Sequence, residues 1–225
     1  MVGRAFAGVD AHRKGWVAIV LDFSGFVGAH TFARFADLAG DLSAAEVIAV
    51  DIPIGVSNDY PRRADIGARE FVGRRRSSVF LTPPMPVLQT ADYAAARRTA
   101  REQFDIGVSA QAYALAPKIL EVDQVAKTDR RIIEVHPEAC FTAMGGREVE
   151  SSKTTWAGMK TRERLLEANG ISIPDDLGDA GAAKPDDVLD AAAAAWTARR
   201  YSAGTANSLP PISRSRDSKA SVIWY

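Results

Sequence analysis

Apolar positions along the chain change period several times, and each change marks an element. Residues 5–10 form a short apolar stretch closed by an acid. A charged turn at 12–15 follows, and 16–22 resumes the apolar run, which predicts two strands joined by a tight connection. Ser24 and Gly25 supply the next turn, and Phe26–Phe32 predicts a third strand. Phe35, Leu38 and Leu42 then recur at helical spacing. Residues 47–54 are apolar except for Asp51 and are closed by Pro53 and Gly55, the pattern of a buried strand in a partly parallel sheet.

Further along, 61–76 predicts a basic helix and 77–86, with three prolines, a loop. Helices are predicted at 93–104 and 109–127, the second interrupted or started at Pro117. Residues 131–136 carry β-branched positions and stop at Pro137, predicting another strand. A helix over 156–168 closes on Asn169 and Gly170. A last helix starts near Pro185, 204–216 is a polar loop, and 221–225 is a short apolar strand or packed tail. No linker-like stretch separates two self-sufficient sets of strands. One domain over 1–225 is expected, with a helical insertion at about 62–127.

Composition narrows the function classes. A chain of 225 residues builds a real core without disulfides, and the single cysteine, Cys140, excludes an internal one. With only His12, His30 and His136 beside it, a closed zinc site is not expected. No apolar run approaches the ~20 residues of a membrane span, and residues 1–9 read as a first strand, not an export signal. A cytoplasmic protein without membrane contact is expected. The 28 Lys and Arg balance 28 Asp and Glu, which argues against bulk charge as a means of coating nucleic acid. Charge is local instead: six arginines against Asp65 and Glu70 leave +4 over 61–76, while 173–190 carries six Asp against Lys184.

Asp10 ends one buried strand and Asp51 sits inside another, where an unpaired carboxylate costs several kcal/mol. Asp10 alone is explained by capping its turn or by pairing with a neighbouring cation. Asp51 has no charged neighbour in its own strand, so its compensation comes from elsewhere, and a metal ion is one source. Asp187 and Asp190 are three apart and share a helix face. Acids at a helix start complement its dipole, which explains Asp186 or Asp187 but not Asp190, and the alanines after Asp190 imply close packing against a sheet.

A strand ending in Asp, a meander, a helix, a strand with an Asp and a late D-x-x-D helix together resemble the ribonuclease H-like fold. The stretches GVDAHRKGW, DIPIG, ADIGAREFVGRRRSSVFLTPP, EVHPEACF and DDVLDA resemble domain-of-unknown-function family 429, described as predicted nucleases of that fold. The resemblance implies an α/β protein with a mixed five-stranded sheet in order 3-2-1-4-5, flanked by helices. It places Asp10, Asp51, Asp187 and Asp190 at one sheet edge as ligands of divalent metal. Where many relatives have Cys in the R-x-C-D-x-x-A-R block this chain has Ala64, which counts against chemistry at that position.

Glu134, His136 and Glu138 alternate at spacing two, so a strand would point them to one face. An exposed polar edge explains that equally well; Glu134 is the preferred further metal ligand and Glu138 the reserve. Arg69, Arg76, Ser78, Lys118, Lys153 and Arg162 are candidates to grip phosphates, against the alternative of solvated helix ends for the arginine run 74–76. Cys140 reads as a small core residue, and His12 and His30 as surface.

The expected function is phosphodiester hydrolysis with two Mg or Mn ions on a nucleic acid or nucleotide substrate, since clustered carboxylates suffice and no other nucleophile is evident. The alternatives are an actin-like magnesium-nucleotide phosphotransferase or ATPase, for which 11–15 contains a single glycine, and a non-catalytic binding module.

Overall fold

The computed structural model describes residues 4–212 and 221–225; residues 213–216 of the expected polar loop lie outside them. Strands β1 (Ala5–His12), β2 (Gly15–Leu21), β3 (Phe26–Phe32), β4 (Ala45–Val50) and β5 (Ile132–Glu134) form one sheet in the order β3-β2-β1-β4-β5. The first three make an antiparallel meander, whereas β4 runs parallel to β1 and β5 parallel to β4. The mixed five-stranded α/β sheet and its strand order are those expected from the sequence.

The helices are α1 (Phe35–Asp41), α2 (Arg63–Phe71), α3 (Met85–Leu88), α4 (Tyr93–Phe104), α5 (Ala110–Ala114), α6 (Ala116–Ala126), α7 (Pro137–Gly145), α8 (Trp156–Ala168) and α9 (Pro185–Ser202). Two short strands, β6 (Ser208–Leu209) and β7 (Ile223–Trp224), pair with each other, and Trp224 bridges to Val135 just beyond β5. Among the described residues no helix is long and apolar enough to cross a membrane.

Side-chain alternation divides the interior in two. Phe6, Val17, Ile19, Val47 and Ala49 pack with α7, α8 and α9, while Ala7, Val9, Ala18, Ile48 and Val50 pack with α1 and α6. On the first face α9 lies directly on β1. Ala191 to Ala195 are wholly buried, and a Cβ placed on Gly8 would stand 2.0 Å from the Ala195 nitrogen and 2.1 Å from the Ala191 carbonyl oxygen. Small side chains on both sides therefore let the two backbones approach and fix how far α9 reaches over the strand ends.

Several expectations shift. The basic segment 61–76 is not one helix, because α2 ends before Gly73, whose φ of 53° suits glycine, and a 3-10 turn covers Gly73–Ser78. Asp51 lies just past β4 and not within it. Pro137, expected only to end a strand, opens α7 at a position where its missing N–H has no helical partner to lose. Glu138 therefore starts a helix and does not continue the alternation of Glu134 and His136.

Candidate metal centre

Val9 pairs with Val50 in the β1–β4 register, and the Asp51 N–H donates to the Val9 carbonyl at 3.0 Å. Asp10 and Asp51 are the next rung, so their side chains fall on one face, the face that Gly8 leaves open to α9. Asp190 descends from the second turn of α9. The carboxylates of Asp10, Asp51 and Asp190 offer oxygens that all lie within 4.8 Å of one another. Three separate elements contribute one hard oxygen donor each, the donor chemistry that suits Mg or Mn.

Burial raises the Asp10 carboxyl well above its ordinary range, and the Asp51 and Asp190 charges add to the effect. Asp51 is also raised by burial, against the opposing pull of His136 and Lys153. Asp190 is pushed up to about 7, again by burial, although Lys153 opposes the shift. Lys153 pairs with Asp190 through its ammonium. Burial works against that ammonium, yet Asp190, Asp51 and Asp10 together hold its pKa above the ordinary value. A cation already rests on the carboxylates, which fits a site built for positive charge.

Asp10 and Asp51 open into a cavity of about 210 Å³ also lined by Ser78, His136, Lys153 and Asp187, with Val79, Leu115 and Ile223 as apolar wall; Asp190 lies behind Lys153 and does not line it. His136 Nδ1 is buried there without a hydrogen-bond partner among the described residues. Asp187, one turn before Asp190, stands in the wall but not among the three converging oxygens; burial and Asp186 raise its carboxyl.

Other expected site residues take different places. Glu134, expected as a metal ligand, lines the same cavity but lies outside the converging triad: it accepts two hydrogen bonds from Arg62 Nη2, at 2.9 and 2.7 Å, and one from the Ile54 N–H at 2.7 Å. Burial pushes its carboxyl up to about 7 despite Arg62. Arg62 also donates to Thr82 at 3.1 Å and Ser221 at 2.5 Å and lies 3.6 Å from Asp65, so a buried ion network, not a metal, compensates Glu134. Arg162, expected to grip phosphate, is 1% exposed and donates to both oxygens of Glu138 at 2.7 Å, which occupies the reserve ligand as well.

The basic segment does not line the cleft. Ser78 does, but Arg69 and Arg76 are not in the cavity wall, and Arg75 pairs with Glu138 at 3.5 Å. Lys118 donates to the Gly15 carbonyl at 2.5 Å and lies 4.2 Å from the Trp16 ring centroid, so it braces the β1–β2 turn. Cys140 is wholly buried, and burial pushes its thiol up to about 12. His136 was missed as a cavity residue because its spacing from Glu134 and Glu138 suggested a shared edge, and only the turn into α7 separates the three.

Residues 8–214 match the model of the family described as Protein of unknown function (DUF429). The chain belongs to that family. That match spans β1 to beyond α9 and includes every member of the acidic triad. No match was found among curated proteins or solved structures.

Proposed function

We propose that this protein hydrolyses phosphodiester bonds with divalent metal, Mg or Mn, bound at Asp10, Asp51 and Asp190. The observation that carries the reading is the convergence of three carboxylates from β1, the end of β4 and α9 within 4.8 Å. Left ionised and unpaired, such a cluster costs several kcal/mol per charge, and one lysine cannot offset three of them. Bound divalent ions supply Lewis acidity, lowering the pKa of water and neutralising charge on the leaving oxygen.

The protein's own groups have separable parts in this reading. Asp10 and Asp51, fixed by the β1–β4 ladder, would hold the metal together with Asp190 of α9. Asp187 stands one helical turn away as a further acceptor at the rim. The imidazole of His136, with Nδ1 unpartnered among the described residues, offers a hydrogen-bonding group beside Asp51. Ser78 adds a hydroxyl to the cavity wall, donating to the Arg75 carbonyl at 2.8 Å, and Val79, Leu115 and Ile223 limit water. The buried Arg62–Glu134 pair holds the backbone just after Asp51 through the Ile54 N–H.

The test uses purified protein with Mg²⁺ or Mn²⁺ against single-stranded, hybrid and branched DNA and RNA, alongside Asp51→Asn. The amide keeps the shape and removes the charge, so turnover should fall at least about a hundredfold with the fold retained. Equal turnover in the variant would refute the site. Magnesium-dependent ATP turnover without cleavage would favour the phosphotransferase, and neither metal binding nor turnover would favour a binding module.

A further inference from the structure

Lys153 stands apart from the other basic residues of the expected phosphate grip: its ammonium is seated on the acidic triad itself. It pairs with Asp190 and lines the cavity that Asp10 and Asp51 also line. Its side chain is 34% exposed where that of Asp190 is 2%, so the lysine end has a path toward the cavity that the carboxylate lacks.

The stem of Lys153 is held independently of this pair. Arg162 donates to the Ser151 and Gly158 carbonyls, each at 3.1 Å, while gripping Glu138. Thr155 caps α8 by accepting from the Gly158 N–H at 3.1 Å, and its own N–H donates to the Ser152 carbonyl at 3.0 Å. Gly158 sits so close that a Cβ there would lie 1.8 Å from the Ser152 oxygen. With the backbone on both sides of Lys153 fixed, its four-carbon arm can leave Asp190 by rotamer change alone.

A divalent cation on the triad needs an Asp190 oxygen and repels an ammonium at contact distance. We propose that Lys153 is an exchangeable counter-ion, which holds Asp190 until a divalent cation enters and then turns into the cavity to meet the anionic phosphate of the substrate. This rests on the metal-site reading given under Proposed function. Exchange makes the two binding events mutually reinforcing: metal frees the lysine for the phosphate, and phosphate keeps the lysine away from Asp190.

The test is calorimetric titration of Mn²⁺ into the full chain as wild type, Lys153→Met and Lys153→Arg, with circular dichroism melting as the folding control. The Met variant should bind Mn²⁺ about tenfold tighter, because the competing charge is gone, and the Arg variant should stay near wild type. Lys153→Gln repeats the measurement if the Met variant does not fold. Addition of Ca²⁺ should also tighten wild-type binding of a fluorescent single-stranded oligonucleotide, and most of that gain should vanish in the Met variant. Weaker or unchanged Mn²⁺ affinity on losing the lysine would overturn the exchange, because a merely structural anchor of Asp190 predicts that sign. Tighter Mn²⁺ binding with an undiminished Ca²⁺ gain would overturn the transfer to phosphate. Absence of Mn²⁺ binding in all variants would instead remove the metal site beneath it.

Discussion

Replacing Asp190 by Asn should make the metal-free protein more stable at pH 8 and abolish its response to metal. The carboxyl is 2% exposed and its pKa is pushed from an ordinary 3.8 to about 7 by burial, so the folded state holds its proton more tightly than the unfolded chain does. For a raised carboxyl the favourable contribution is complete below the unfolded value and is lost as pH rises through the folded one. The loss therefore runs from about pH 4 to pH 7 and amounts to ~4 kcal/mol at most, accumulating at about 1.4 kcal/mol per pH step of one across that window. Loss of the Lys153 pair offsets part of this, but Lys153 keeps Asp10 and Asp51 nearby and a route to water. A net gain of about 2 kcal/mol at pH 8 is expected, shrinking toward pH 4. Urea unfolding of both proteins at pH 4, 6 and 8, with and without Mn²⁺, measures it. Wild type should recover stability with Mn²⁺ at pH 8, and the variant should not. A variant less stable than wild type at pH 8 without metal would refute the argument that the Lys153 pair offsets only part of the cost of burying this charge.

Gly8→Ala puts a Cβ about 2 Å from the α9 backbone, where no rotamer change relieves it; a loss of ~3 kcal/mol in denaturant unfolding and weaker Mn²⁺ binding are expected as α9 is forced off β1. Glu134→Ala removes the acceptor of both Arg62 hydrogen bonds and of the Ile54 N–H, leaving the buried guanidinium with Asp65 at 3.6 Å as its remaining carboxylate, and should cost about 3 kcal/mol by the same assay. Arg69→Ala and Arg76→Ala, being outside the cavity wall, should change metal-dependent turnover by less than about twofold, whereas Ser78→Ala should raise KM. Native Cys140 should stay unmodified by a thiol reagent at pH 8 and react only after unfolding, as read by mass spectrometry.

Much of the architecture follows from local pattern. Apolar runs punctuated by turn residues in 5–54 are enough to give a three-strand meander, a helix and a further buried strand, since each run is too short for a membrane span and is closed by residues that end a strand. The Asp10–Asp51 pairing follows once the strand order implied by the family resemblance sets β1 beside β4, because the Val9–Val50 register puts the two acids on the next rung. The alanines after Asp190 foretell close contact with a sheet, and Gly8 supplies the matching gap.

Tertiary structure alone decided which charges are free. Arg62 and Glu134 lie 72 residues apart, Lys153 and Asp190 37, and Arg162 and Glu138 24, separations at which no periodicity in the chain relates the partners. The sequence therefore offered Glu134 as a further ligand beside the principal acids, and Arg162 as a phosphate grip alongside Lys153, with no sign that each is held in a buried ion pair. Folding sorts them by desolvation: a buried ion survives only beside its opposite, so Glu134 and Glu138 are satisfied by arginines. Asp10, Asp51 and Asp190 meet at the strand ends with one lysine among three charges. That imbalance is a property of the assembled sheet and helix, and it is the ground for proposing metal at these acids and not at Glu134 or Glu138.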